Sequence, residues 1–126
     1  MTPIAPSSFQ SAVESGDAEA IRSSLSAGAV FNSPVVFAPY RGREAVVTVL
    51  AAALEVLHGL RSTDLVVDDD HQVLVFEARV ADRRVQGVVI LRLDGEALVS
   101  ELTVMLRPMT GLIAMAEAMR QRLGSV

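Results

Sequence analysis

The chain has no cysteine, no tryptophan, one tyrosine and two histidines among its 126 residues. Without cysteine there is neither a disulfide framework nor a thiolate nucleophile. His58 and His71 stand alone, with no second ligand at metal-binding spacing, so no metal and no cofactor are expected. A stripe of basic residues is also missing: the net charge is -4 and the arginines are interspersed with acids, which excludes the electrostatic footprint of nucleic-acid binding. Long apolar runs are lacking too, although 51% of residues are hydrophobic. The greasiest stretch, Ala45 to Leu57, contains Thr48 and Glu55 and is too short to span a bilayer. Met1 to Ser8 shows no positive region followed by an apolar one, so no secretory signal and no membrane partner are expected, and the default location is cytoplasmic.

What is present is amphipathic alternation. The ribbon Val73 to Pro108 reads as three strands joined by turns at Ala81 to Arg84 and Asp94 to Glu96, with Gly95 available for positive φ. In steps of two, one face is Leu74, Phe76, Ala78 and Val80, then Gly87, Val89, Leu91 and Leu93, then Leu102, Val104 and Leu106. That face is wholly apolar, as the core side of an antiparallel meander should be. The other face mixes Val75, Val88, Ile90 and Met105 with charges, including the expected cross-strand pairs Glu77 with Arg79 and Arg92 with Glu101. An exposed apolar cluster of this kind predicts a homodimer through the outer sheet face.

Upstream, residues 1–6 read as a flexible tail within a single domain covering 1–126. Ser7 or Ser8 is placed to cap a helix over Phe9 to Ser15 ended by Gly16. Asp17 caps a second, carrying Ala20, Ile21 and Leu25 and closed by Gly28. Ala29 to Phe37, broken by Pro34, predicts two small strands or a kinked edge strand, and Pro39 to Gly42 a turn. The spacing of Val46, Val47, Leu50, Ala53, Leu54 and Leu57 predicts the longest helix, from Arg43 to about Leu57 with Gly59 as its stop. Leu60 to Val67 is a further strand before the acidic turn Asp68 to His71. After Pro108, Thr110 is placed to cap a last helix whose face is Leu112, Met115, Ala116, Met119 and Leu123, ended by Gly124. Helices followed by a long meander give an α+β fold, with a curved, mainly antiparallel sheet wrapped around a long helix and an N-terminal helical hairpin. The space they enclose is a cone.

Three segments, "SGDAEAI" (Ser15 to Ile21), "YRGREAV" (Tyr40 to Val46) and "ILRLDG" (Ile90 to Gly95), resemble the nuclear transport factor 2-like superfamily in order and spacing. This cone-shaped fold is shared by ketosteroid isomerases, SnoaL-like polyketide cyclases and limonene epoxide hydrolases. Isomerases of that kind pair an aspartate base with an oxyanion hole made of a tyrosine and a protonated aspartate. The resemblance puts the isomerase tyrosine on Phe9, the base on Ser33 before Pro34, and the oxyanion-hole aspartate on Val89. The last-strand carboxylate of the cyclases and epoxide hydrolases falls on Val104. All four positions have lost the working polar group.

The resemblance therefore implies a pocket without the family's chemistry. Its expected lining is Phe9, Ser33, Phe37, Tyr40, Leu50, Leu54, Phe76, Val89, Leu91, Leu102, Val104 and Leu106, and its expected partner a small hydrophobic molecule. The alternative is an isomerase, cyclase or hydrolase acting on a lipophilic substrate with a non-standard set drawn from Ser33, Tyr40 and His58. A third reading fills the cone with side chains and leaves only association. Met105, Met109, Met115 and Met119 read as apolar filling, and Arg41 and Arg43 beside Gly42 as surface charge.

Overall fold

The computed structural model describes residues 8–124, with Ser8 described by its backbone alone; the expected tail and the Ser7 cap lie outside the described residues. The N-terminal hairpin is α1 (Ser8–Ser15) and α2 (Ala18–Ser24). Gly16 turns the chain at φ 70°, and the Asp17 carboxylate accepts a hydrogen bond from the Glu19 amide at 3.0 Å. That is the physical content of "SGDAEAI": a left-handed turn and a cap that satisfies a free helix donor.

The second helix stops at Ser24, ahead of Gly28, because the next residues are claimed by β1 (Leu25–Asn32). β1 buries Leu25, Ala29 and Phe31, so the alternation begins earlier than Pro34 suggested and the strand ends at Asn32. Loop 33–39 follows, and then the short β2 (Tyr40–Arg41), antiparallel to β1. Gly42, at φ 96°, admits the chain to α3 (Arg43–Val56), whose buried side is Val46, Val47, Val49, Leu50, Ala52, Ala53 and Val56. Leu57 is already extended, so the helix ends before Gly59.

β3 (His58–Asp68), β4 (His71–Val80), β5 (Arg83–Leu93) and β6 (Val99–Arg107) complete one six-stranded sheet in the order β2-β1-β6-β5-β4-β3. Only β1 and β6 run parallel. The register aligns the apolar face across strands: Leu74 opposite Val89 opposite Val104, and Phe76 opposite Gly87 opposite Leu106. The turn after β5 is longer than expected. Asp94 accepts from the amides of Glu96 and Leu98, and Ala97 rather than Gly95 takes positive φ. On the outer face Glu77 pairs with Arg61 across β3 at 2.7 Å rather than with Arg79, since Arg61 is its directly opposed neighbour.

The last helix, α4 (Met109–Leu123), is capped by the backbone at Pro108 rather than by Thr110, and at 15 residues it exceeds the 14 of α3. It presses Gly111 against β5, where an added Cβ would stand 2.4 Å from Cγ1 of Val85. Met115 and Met119 are buried, while Met105 and Met109 are exposed, so only half of the methionine series fills the core. The core lies between the concave face of the sheet and α1, α3 and α4, and this sandwich encloses the candidate site.

Candidate functional site

A hollow of about 70 Å³ remains inside the core. Helix α1 contributes Phe9 and Val13, and α3 contributes Val49, Leu50, Ala53 and Leu54 in helical steps. The sheet contributes Phe31, Leu74, Phe76, Val89, Leu102, Val104 and Leu106, and α4 contributes Met115 and Met119. Among the described residues, Ser33 is the one hydroxyl on this wall. Its Oγ accepts a hydrogen bond from the Val35 amide at 3.1 Å, which holds it in the turn that starts loop 33–39.

Of the twelve expected lining residues, nine border the hollow: Phe9, Ser33, Leu50, Leu54, Phe76, Val89, Leu102, Val104 and Leu106. Three do not. Phe37 is 101% exposed, because the ladder ends at Asn32 and the loop carries its ring outward. Tyr40 stacks on Phe31 with ring centroids 6.0 Å apart, one ring removed from the hollow. Leu91 is fully buried between neighbouring strands, where the cone is filled by core.

The candidate catalytic set separates as well. Ser33 is on the wall, Tyr40 behind it, and His58 is exposed at the start of β3, opposite Arg79. No two of them line the hollow together, and among the described residues the wall holds no titratable group. Among the described residues no group of three or more His, Cys, Asp or Glu is placed to hold a metal ion, and no helix is long and apolar enough to cross a membrane.

A second concavity, a groove of about 650 Å³, lies outside β6. Val36, Phe37, Pro39, Met105 and Leu112 make its apolar walls, and Asn32 and Thr103 its polar end. It shares Ser33, Pro34, Val104 and Leu106 with the hollow. The pairing explains why the two meet there. β1 stops at Asn32 opposite Thr103, whereas β6 runs on to Arg107, so on that side no β1 residue pairs with β6 beyond Thr103.

Comparison with known proteins places this architecture. Residues 7–101 match the SnoaL-like domain family. The chain belongs to that family. A steroid delta-isomerase from Pseudomonas aeruginosa is 29% identical and superimposes with a TM-score of 0.88, covering 98% of this chain and 96% of its own. An uncharacterised bacterial protein with a cystatin-like fold from Silicibacter pomeroyi is 25% identical, with a TM-score of 0.89 over 92% of this chain and 82% of its own. A SnoaL-like polyketide cyclase from Shewanella denitrificans, described as putative, is 12% identical, with a TM-score of 0.67 over 88% and 93%, and shares the fold. No curated protein sequence matches.

With its nuclear transport factor 2-like cone, this SnoaL-like domain brings Phe9, Ser33, Val89 and Val104 to one wall. Those are the four positions to which the resemblance assigns polar groups in catalytic relatives. Sequence reasoning missed Val13, Phe31, Pro34, Val35, Val49, Ala53, Leu57, Leu60, Leu74, Met115 and Met119 on the same wall. Leu74 and Phe31 carried a usable signal, the parity of their strands. The methionines carried only their one-turn spacing on α4.

Proposed function

We propose that this SnoaL-like domain binds a small apolar molecule in the hollow and performs no acid–base step of its own. The observation that carries the reading is the wall itself, which among the described residues is apolar except for Ser33 and without a titratable side chain. An enolising or epoxide-opening reaction needs a base and a donor aimed at developing charge. Losing a single oxyanion donor costs about 2.7–4 kcal/mol in well-studied enzymes. Here Phe9, Val89 and Val104 offer neither donor nor base. The test is native mass spectrometry and calorimetry of the purified protein against xenon and a series of apolar compounds of increasing size. Saturable one-to-one binding of an apolar compound is expected; exclusion of every compound and of xenon would refute the reading.

The alternative is an isomerase, cyclase or hydrolase working on a lipophilic substrate. It is favoured by the 29% identity to a steroid delta-isomerase over 98% of the chain. Turnover of a ketosteroid that disappears in Ser33→Ala would establish it.

The same reading includes a second copy of the chain on the outer face of the sheet. Two apolar rows support it, Val75 beside Val88 beside Met105 and Val73 beside Ile90. Charge is also segregated along this sheet. Arg79 faces Arg84, with Arg107 near them, while Asp68, Asp69 and Asp70 outnumber Arg92 at the other end. A two-fold axis reversing the strand direction places each arginine end on the acidic end of the partner.

A further inference from the structure

By itself the hollow has room only for a very small apolar ligand. At about 70 Å³ it has less than half the volume of the roughly 150 Å³ apolar cavity known to admit benzene. The groove outside β6 has the missing room, about 650 Å³, and the two share a wall at Ser33, Pro34, Val104 and Leu106. No β1 residue pairs with β6 along that stretch, so the wall is side chains and loop rather than a hydrogen-bonded ladder.

The polar end of the groove has a definite sense. Asn32 Nδ2 donates to Glu101 Oε2 at 3.1 Å and to Thr103 Oγ1 at 3.0 Å. A carboxylate only accepts, so this fixes the amide orientation and leaves the Asn32 carbonyl oxygen without a donor among the described residues. The Thr103 hydroxyl proton is left to donate. The Glu101 charge stands one hydrogen bond behind Asn32, which in turn holds Thr103. Arg92 is its neighbour on the far side, in β5, and makes no ion pair with it among the described residues.

We propose that hollow and groove form one channel for a linear amphiphile whose head donates hydrogen bonds, a long-chain primary amine or alcohol. Its chain threads between Pro34 and Val104 and lies along the apolar wall that includes Phe37 and Met105. Its head sits on the Asn32 carbonyl and the Thr103 hydroxyl. The negative charge of Glu101 strengthens a donated hydrogen bond and opposes a carboxylate head. This inference rests on the apolar-ligand reading above and adds the ligand class and the outer half of the site.

Titration calorimetry of the intact protein with decylamine, 1-decanol and decanoate tests it, alongside xenon uptake as a probe of the hollow alone. The amine and the alcohol are expected to bind at least about tenfold more tightly than decanoate. Glu101→Gln should narrow the ratio of amine to carboxylate affinity. Phe37→Ser, at a fully exposed position, should weaken the amine and alcohol about tenfold while leaving xenon uptake unchanged. Decanoate binding as tightly as decylamine, or chain binding indifferent to Phe37→Ser, overturns the channel while xenon uptake preserves the apolar-ligand reading. Exclusion of xenon and of all three chains overturns both.

Discussion

Phe76 lies over Gly87 on the adjacent strand so closely that a Cβ built on the glycine would stand 2.4 Å from Cζ of the ring. The absent side chain is what lets the ring lie down on the sheet, and the downward ring is part of the wall of the hollow. Leu106 closes on the same spot from β6, at 3.0 Å from that Cβ position. Gly87 thus sets how much empty space the cone retains. In Gly87→Ala the ring has to swing away from the sheet, and the unfilled direction is the hollow. A destabilisation of about 1–3 kcal/mol is expected from overpacking. Chemical denaturation measures it, and loss of xenon uptake reports the filled cavity.

Val89 is the position where the resemblance implies a protonated aspartate. It is buried, opposite Leu74 and Val104, and among the described residues Ser33 is the one hydroxyl on the wall. A carboxyl placed there by Val89→Asp loses its hydration, so burial raises its folded pKa above the unfolded value of about 3.9. The sign follows from linkage. Below about pH 3.9 the acid is neutral in both states and the charge penalty is absent; above it the unfolded chain ionises first and stability falls until the folded pKa is reached. If burial raises the pKa by about 3, the full penalty is about 4 kcal/mol. Denaturant melts of variant and parent across pH 3 to 8, taken as about the range of both ionisations, should show their difference widening with pH. A difference independent of pH would mean that water reaches the site.

Arg22 on α2 grips Glu44 in the first turn of α3, with Nε 3.0 Å from one carboxylate oxygen, and Glu19 holds the same guanidinium from within α2. The hydrogen bond from Arg22, with the guanidinium charge behind it, holds the Glu44 carboxyl below its ordinary value. A lowered folded pKa contributes stability above the unfolded value, and that contribution is lost as pH falls through the folded one. Arg22→Met should therefore be less stable than the parent at neutral pH, with the gap closing in acid. The pair is solvent-exposed, so the gap should also shrink in high salt. Thermal melts at pH 7, in strong acid and at pH 7 with high salt check both.

The legible part of this protein was its sheet. Period-two alternation marks which side of β4, β5 and β6 faces the core, and a parity error would have turned every side chain over. The N-terminal punctuation was legible for the same kind of reason, since Gly16 and Asp17 act on their immediate neighbours. Three things were not. Pro34 signals a break but not where β1 ends, and the difference between Asn32 and Phe37 decides whether an aromatic ring faces the hollow or the solvent. Gly87 looks like a weak point in a strand until Phe76 is known to stand opposite it. Asn32 is far in sequence from Glu101 and Thr103 and meets them only because β1 and β6 pair in parallel.

The outer face offers the last prediction. Val88 stands between Val75 and Met105 in the central row, partly exposed, with Ile90 beside Val73 in the next row. An isologous pairing over such a patch puts each of these side chains against its symmetry mate or a near neighbour. A charge introduced there meets its own copy across the axis, whereas in a monomer it reaches water at little cost. Val88→Arg should therefore convert a dimer to a monomer and leave the fold intact, as read by light scattering and by an unchanged circular dichroism spectrum. The charge segregation adds a second signature. If Arg79 and Arg84 lie over the partner's Asp68 to Asp70 turn, exchanging both arginines for glutamate should abolish association. Placing lysines at Asp68 and Asp70 in the same chain should restore it. Salt should weaken the parent dimer in parallel, because charges at the rim of the face are screened over about 8–10 Å. A parent protein that is monomeric at micromolar concentration would remove the partner copy from the reading and leave the two apolar rows without an occupant.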